Sequence, residues 1–290
     1  LRSWTLKSWS MTKKTILFIA DFFADEVNGG GELNNAVLVE QLFSRGYEMR
    51  RVNSHQVNHL DILYNDSIIV SNFANLSEEN KREIQNKNYI IYEHDHKYLQ
   101  NRNPGVYQGY KAPKEHIINR EFYENAKAVL CQSGFHTKIL KENLEIDNVV
   151  NLSGNLWSEE HLSLLEEMSK VEKINKCAIM VSNIPHKNTG KAVAYCKAIN
   201  AGHVLVPPSG PQEFLRELGK YKTLVFLPET PETLSRVVVE ARMMGMSTKV
   251  TKNIGAIYEE WFNLKGLELI NIIRQKREEI PNKVLECLYE

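Results

Sequence analysis

Short apolar runs of strand length recur along this chain, separated by stretches of helical length, and that alternation constrains the fold more than any other feature. Thr15 to Ala20 (TILFIA) is continuously apolar and ends at Asp21, the pattern of a parallel strand covered on both faces. Asn28-Gly29-Gly30-Gly31-Glu32 follows, and then Ala36, Val39, Leu42 and Phe43 fall on one helical face before Gly46. Strand, glycine loop and helix open a doubly wound domain. Runs at Ser67 to Val70, Tyr89 to Tyr92, Ala128 to Cys131 and Asn148 to Leu152 continue the alternation and predict a mainly parallel sheet. After a charged helical stretch, Leu162 to Lys176, it restarts at Ala178 to Ser182, Val204 to Val206, Thr223 to Leu227 and Thr248 to Thr251. Two α/β domains follow, over 12–165 and 172–290, facing a cleft lined by the carboxyl ends of their strands, where open sheets of this kind bind ligands. Gly266 to Glu290 reads as two helices separated at Pro281.

An apolar share of 42% lets both halves bury a core. The balance of 36 basic against 36 acidic residues argues against a uniformly basic nucleic-acid coat and leaves room for a local patch. Cys131, Cys177, Cys196 and Cys287 form no C-x-x-C pair and read as reduced core thiols, which points to the cytoplasm. No run approaches the roughly 20 apolar residues of a membrane-spanning helix. Leu1 to Ser10, ahead of Met11, read as a cloning remnant or upstream translation. No feature specifies an oligomeric state.

The chemistry concentrates in Pro228 to Ala241 (PETPETLSRVVVEA), which leaves an apolar strand and runs into a helix. A helix starting just after Glu232 would place that carboxylate at its positive end and Glu240 about two turns along the same flank. Carboxylates so placed can each accept from neighbouring hydroxyls, as a ribose and a sugar present them. A second block, Ile184-Pro185-His186-Lys187-Asn188, opens the helix after the strand Ala178 to Ser182.

These blocks, together with Gly245 and Asn253-Ile254-Gly255-Ala256, resemble the retaining glycosyltransferases of the GT-B fold, which carry a Glu-x7-Glu segment of the family-four kind. The resemblance implies two Rossmann-like domains, with the acceptor side N-terminal and the nucleotide-sugar donor side C-terminal. It implies that Glu240 binds the donor ribose, that Glu232 lies against the transferred sugar, and that amides around Thr233, Leu234 and Ser235 face the sugar or diphosphate. Lys187 matches the family's diphosphate lysine, whereas the family's arginine is replaced by Ser182 or Asn183, leaving Arg236, His186 and Lys191 as nearby substitutes. Gly30 and Gly31 resemble the glycine loop that lets backbone approach the donor. His94, at the end of Ile90 to Tyr92, matches a histidine that contacts the donor sugar. Ser133 matches the family's serine at a helix start, read first as a structural N-cap. The family requires no metal, and the metal assignment here is none; His94 and Asp95 would be the ligand candidates otherwise. The co-substrate implied is a UDP- or GDP-sugar.

Between His96 and Arg120, the basic residues Lys97, Arg102, Lys111, Lys114 and Arg120 interleave with Tyr98, Tyr107 and Tyr110 against one acid, Glu115. A polyanionic acceptor would require such a mixture, and a solvated loop would also show it. Lys97, Arg102, Lys111 and Lys114 are the acceptor-binding candidates. Three functions stay open: a hexosyltransferase acting on a glycoconjugate or polysaccharide, a viral-type DNA glycosyltransferase acting on 5-hydroxymethylated pyrimidines, and a non-catalytic nucleotide-sugar-binding protein. Donor hydrolysis separates the last from the others, and binding of hydroxymethylated DNA separates the first two.

Overall fold

The computed structural model describes residues 14–290; the reading of Leu1 to Ser10 lies outside the described residues. Ten strands, β1 Thr15–Ala20, β2 Glu48–Asn53, β3 Ser67–Val70, β4 Asn88–Tyr92, β5 Val129–Cys131, β6 Val149–Asn151, β7 Ile174–Met180, β8 His203–Val206, β9 Tyr221–Phe226 and β10 Ser247–Val250, form two sheets. The first has the order β2-β1-β3-β4-β5-β6, the second β10-β9-β7-β8. All their pairings are parallel. Strand order reverses between β1 and β3 in the first sheet and between β7 and β9 in the second. Crevices open at such reversals, outside the carboxyl ends of the strands.

The apolar runs become strands because both faces are covered. Ile16, Phe18 and Ala20 point into one core of the first sheet and Leu17 and Ile19 into the other. β2 (EMRRVN) was not foreseen: it is an edge strand, largely solvent-facing, and lacks the apolar signature that marks its neighbours. The first helix, Gly30–Ser44, also turns differently from expectation. Its buried face is Asn34, Asn35, Val37, Leu38, Gln41 and Leu42, while Phe43 is 61% exposed. Two asparagines occupy core positions there because they carry hydrogen bonds into the cleft, so apolar spacing misassigned the face.

Gly266–Tyr289 is one helix, with Pro281 inside it, and the expected break is absent. A proline removes one backbone hydrogen bond and strains the preceding turn; here the burial of Ile280, Pro281, Val284 and Leu288 carries the helix through. Leu269, Ile270 and Ile273 belong to the core of the second sheet, whereas Ile280, Val284 and Leu288 belong to that of the first. The chain thus returns to its N-terminal half at its end.

Candidate functional site

The loops at the two strand reversals face each other. After β7, Pro185–Lys187 forms a single 3-10 turn stopped by Asn188 in a left-handed conformation. After β9, residues 232–234 run alongside 253–256: Glu232 N donates to Asn253 O at 2.7 Å, Gly255 N to Glu232 O at 2.9 Å and Ala256 N to Leu234 O at 3.0 Å. Gly255 is required there, since a Cβ would stand 2.2 Å from Thr233 O. Ser235 then takes φ 76°, and the helix begins at Arg236. The expectation of both carboxylates on one helix flank is therefore corrected: pairing with 253–256 holds Glu232 outside the helix, and only Glu240 lies on it.

Lys187 Nζ meets Glu232 Oε1 at 2.6 Å, so the expected diphosphate and sugar contacts stand side by side. Glu240 is buried, and its contacts gather on Oε1: Trp157 Nε1 donates at 2.8 Å, with His161 Nε2 3.4 Å and Arg236 Nε 3.7 Å away. Burial alone would raise this carboxyl, but the His161 contact and the Arg236 charge outweigh it and hold it at about 2. Glu240 is thus a fixed anion. Leu234 is fully buried in the core of the second sheet, so it offers the cleft backbone only.

From the other side come Gly30, Gly31, His94 and Gln132. His94 Nε2 donates to Asn35 Oδ1 at 2.6 Å, and Nδ1 accepts from Gln132 Nε2, which fixes a neutral imidazole. Burial, with the nearby charges of Lys97 and Arg236, lowers its pKa to about 3. Ser133 caps the helix Gly134–Leu144 by accepting from His136 N, and its hydroxyl also donates across the cleft to Thr233 O at 2.6 Å. Thr233 Oγ1 in turn donates to His94 O at 3.2 Å. The two halves are stitched at the floor of the site.

Above that floor lies a cavity of about 600 Å³ lined by residues including Gly31, His94, Lys187, Glu232, Thr233 and Arg236. A recess of about 260 Å³ extends from it past Arg236 to Glu240 and His161. Another, of about 500 Å³, lies beyond Lys187, bounded by His94, Asp95, Arg102 and His186. Among the described residues no group of His, Cys, Asp or Glu is arranged to hold a metal ion. No helix among the described residues is long and apolar enough to cross a membrane.

The basic stretch is rearranged relative to expectation. Lys97 is 3% exposed and ion-paired with the buried Glu93, so it offers no surface to an acceptor. Arg102 bonds Asp95 at 2.6 Å at the rim of the cleft, Lys111 stands 3.5 Å from Glu145, and Lys114 is exposed on a separate turn. Asn35, Gln132 and Trp157 were not singled out from sequence, because single amides and an indole carry no spacing signal.

No protein-family model matches the chain, and no curated protein matches it in sequence. Solved structures do match in fold. A glycosyltransferase from Rickettsia africae is 14% identical, with 96% of this chain and 93% of that one covered at a TM-score of 0.50. HepE of Anabaena, solved in complex with UDP and glucose, is also 14% identical, covering 95% and 92% at a TM-score of 0.51. This chain has the GT-B fold. In this chain the cleft between the sheets holds His94, Lys187 and Glu232 in its main cavity and Glu240 in the adjoining recess.

Proposed function

We propose that the chain is a retaining glycosyltransferase that moves a sugar from a nucleoside diphosphate to an acceptor hydroxyl, with residues 12–165 on the acceptor side and 172–290 on the donor side. The observation that carries this reading is the convergence of Lys187, Glu232, Glu240 and His94 on one cleft between two facing parallel sheets. Glu240 Oε2, clear of the donors on Oε1, accepts from the ribose. Lys187 and the backbone of Thr233 to Ser235 neutralise charge building on the leaving diphosphate, and Glu232, released from Lys187, meets the sugar. His94 presents a neutral ring edge at the sugar, since both nitrogens are engaged by Asn35 and Gln132. The departing phosphate takes the acceptor proton, so no side-chain base is needed.

UDP is the donor nucleotide favoured, because HepE of similar fold is seen with UDP-glucose. A glycan is favoured as acceptor. The recess beyond Lys187 is lined by Asn101, Asn103, Thr230, Asp95 and Arg102, groups that bond hydroxyls, alongside His94 and His186. The local acids that pair Lys97, Arg102 and Lys111 also remove most of the surplus charge that would recommend DNA.

The test is a screen of labelled nucleotide sugars for binding and slow hydrolysis in the presence of chelator. Donor hydrolysis surviving chelation is expected; binding without turnover would leave a non-catalytic protein, and rescue by manganese or magnesium would overturn the metal-free reading. Binding to hydroxymethylated duplex DNA whose logarithmic salt slope drops by about two on removing Lys111 and Lys114 would restore the DNA acceptor.

A further inference from the structure

Arg236 is a largely enclosed cation that lines the cavity and has few partners. Its side chain is 10% exposed. Nη1 donates to Leu156 O at 2.7 Å, and the guanidinium lies 4.2 Å over the Trp157 ring. Glu240 Oε1 stands 3.7 Å from Nε, a contact between charges and too long for a hydrogen bond. A guanidinium carries five N–H donors, so a single hydrogen bond among the described residues leaves most of them open. The residue before it is more deeply placed: Ser235 is 7% exposed, and its buried hydroxyl has no partner. Both line the main cavity. Across it, Gly30 makes room, since a Cβ there would come within 2.9 Å of Arg236 Cδ.

Buried donors without acceptors are costly unless something else satisfies them. A polar cleft at the first residue of a helix, holding a desolvated cation and a free hydroxyl, selects an anion with several oxygens. Position then selects which anion. Arg236 borders both the main cavity and the recess of Glu240, whereas Lys187 borders the main cavity and the opposite recess. Of the other cations near the β7 loop, His186 lies only in that opposite recess, and Lys191 lines none of the three.

We propose that Arg236 and Ser235 hold the phosphate next to the donor ribose, and Lys187 the phosphate next to the sugar, so that a helix start supplies the cation the β7 loop lacks. Trp157 acts as a positioning residue, its ring face setting the plane of the guanidinium while its N–H fixes Glu240. The inference rests on the glycosyltransferase reading, and the experiment separates the two. Binding of uridine, UMP and UDP is measured by calorimetry for wild type, Arg236→Lys, Ser235→Gly and Lys187→Ala, with melting curves alongside. Arg236→Lys is expected to weaken UMP and UDP by about tenfold each, the loss of charge-assisted bidentate bonding, and to leave uridine unchanged. Ser235→Gly should weaken the same two ligands without lowering the melting temperature, because glycine accepts the left-handed backbone. Lys187→Ala should weaken UDP and spare UMP. Unchanged UMP binding in both Arg236→Lys and Ser235→Gly overturns the proposal, as does an equal loss for uridine; should Arg236→Lys not fold, Ser235→Gly decides alone. Wild type that binds neither UDP nor GDP sinks the glycosyltransferase reading, and this inference with it.

Discussion

Glu240 shows how much one side chain depends on neighbours far off in sequence. Its carboxylate is held at about 2 by His161 and Arg236, with Trp157 bonded to the same oxygen, so its charge is constant wherever the protein is folded. Glu240→Gln is expected to cost roughly 1.5 to 3 kcal/mol of nucleotide affinity, the worth of a hydrogen bond to a charged group, with the fold intact by circular dichroism. Unchanged affinity by calorimetry would remove Glu240 from the ribose site. Glu240, Lys187, Glu232 and His94 were singled out in the sequence from three short local blocks, and the fold brings those blocks to one cleft. Trp157, Asn35 and Gln132 were not, since each acts through a contact that only the fold creates: Trp157 reaches Glu240 across 83 positions, and Asn35 reaches His94 across 59.

At the level of elements, strands covered on both faces announced themselves and the exposed edge strand did not. β2 forms because β1 offers a parallel partner along its whole length, from Thr15 opposite Glu48 to Ala20 opposite Asn53, a reason external to its own residues. The last helix teaches the same lesson in reverse. Pro281 predicted a break from local rules, and burial against the first sheet overrode it. Leu288→Ala should therefore destabilise the protein by about 2 to 5 kcal/mol, the usual cost of emptying a core leucine, although the residue lies two positions from the end of the sequence. Denaturant midpoints would measure it; a loss below about 0.5 kcal/mol would mean that the helix end only rests on the surface.

On the scale of the whole molecule, three histidines near the junction of the halves, His96 and His136 buried and His94 on the cavity wall, contribute to the response to acid. Burial lowers His94 to about 3, His96 to about 4, and His136 well below its ordinary value. The unfolded chain takes up protons near pH 6.5 that the folded one refuses. Stability is thus full above 6.5 and falls as pH drops from there toward 4, by roughly 1.4 kcal/mol per histidine per pH unit. Melting temperatures should decline between pH 6.5 and 5; a flat profile would mean that these imidazoles reach solvent. The path of the last helix has a consequence of another kind, for biosynthesis. Ile280, Val284 and Leu288 complete a core begun by Ile16 and Phe18, so the first sheet cannot close its core until residues 280–288 have left the ribosome. Domains commonly fold in order of synthesis; here the first sheet must wait, one apolar face uncovered, for a helix that follows the whole of the second.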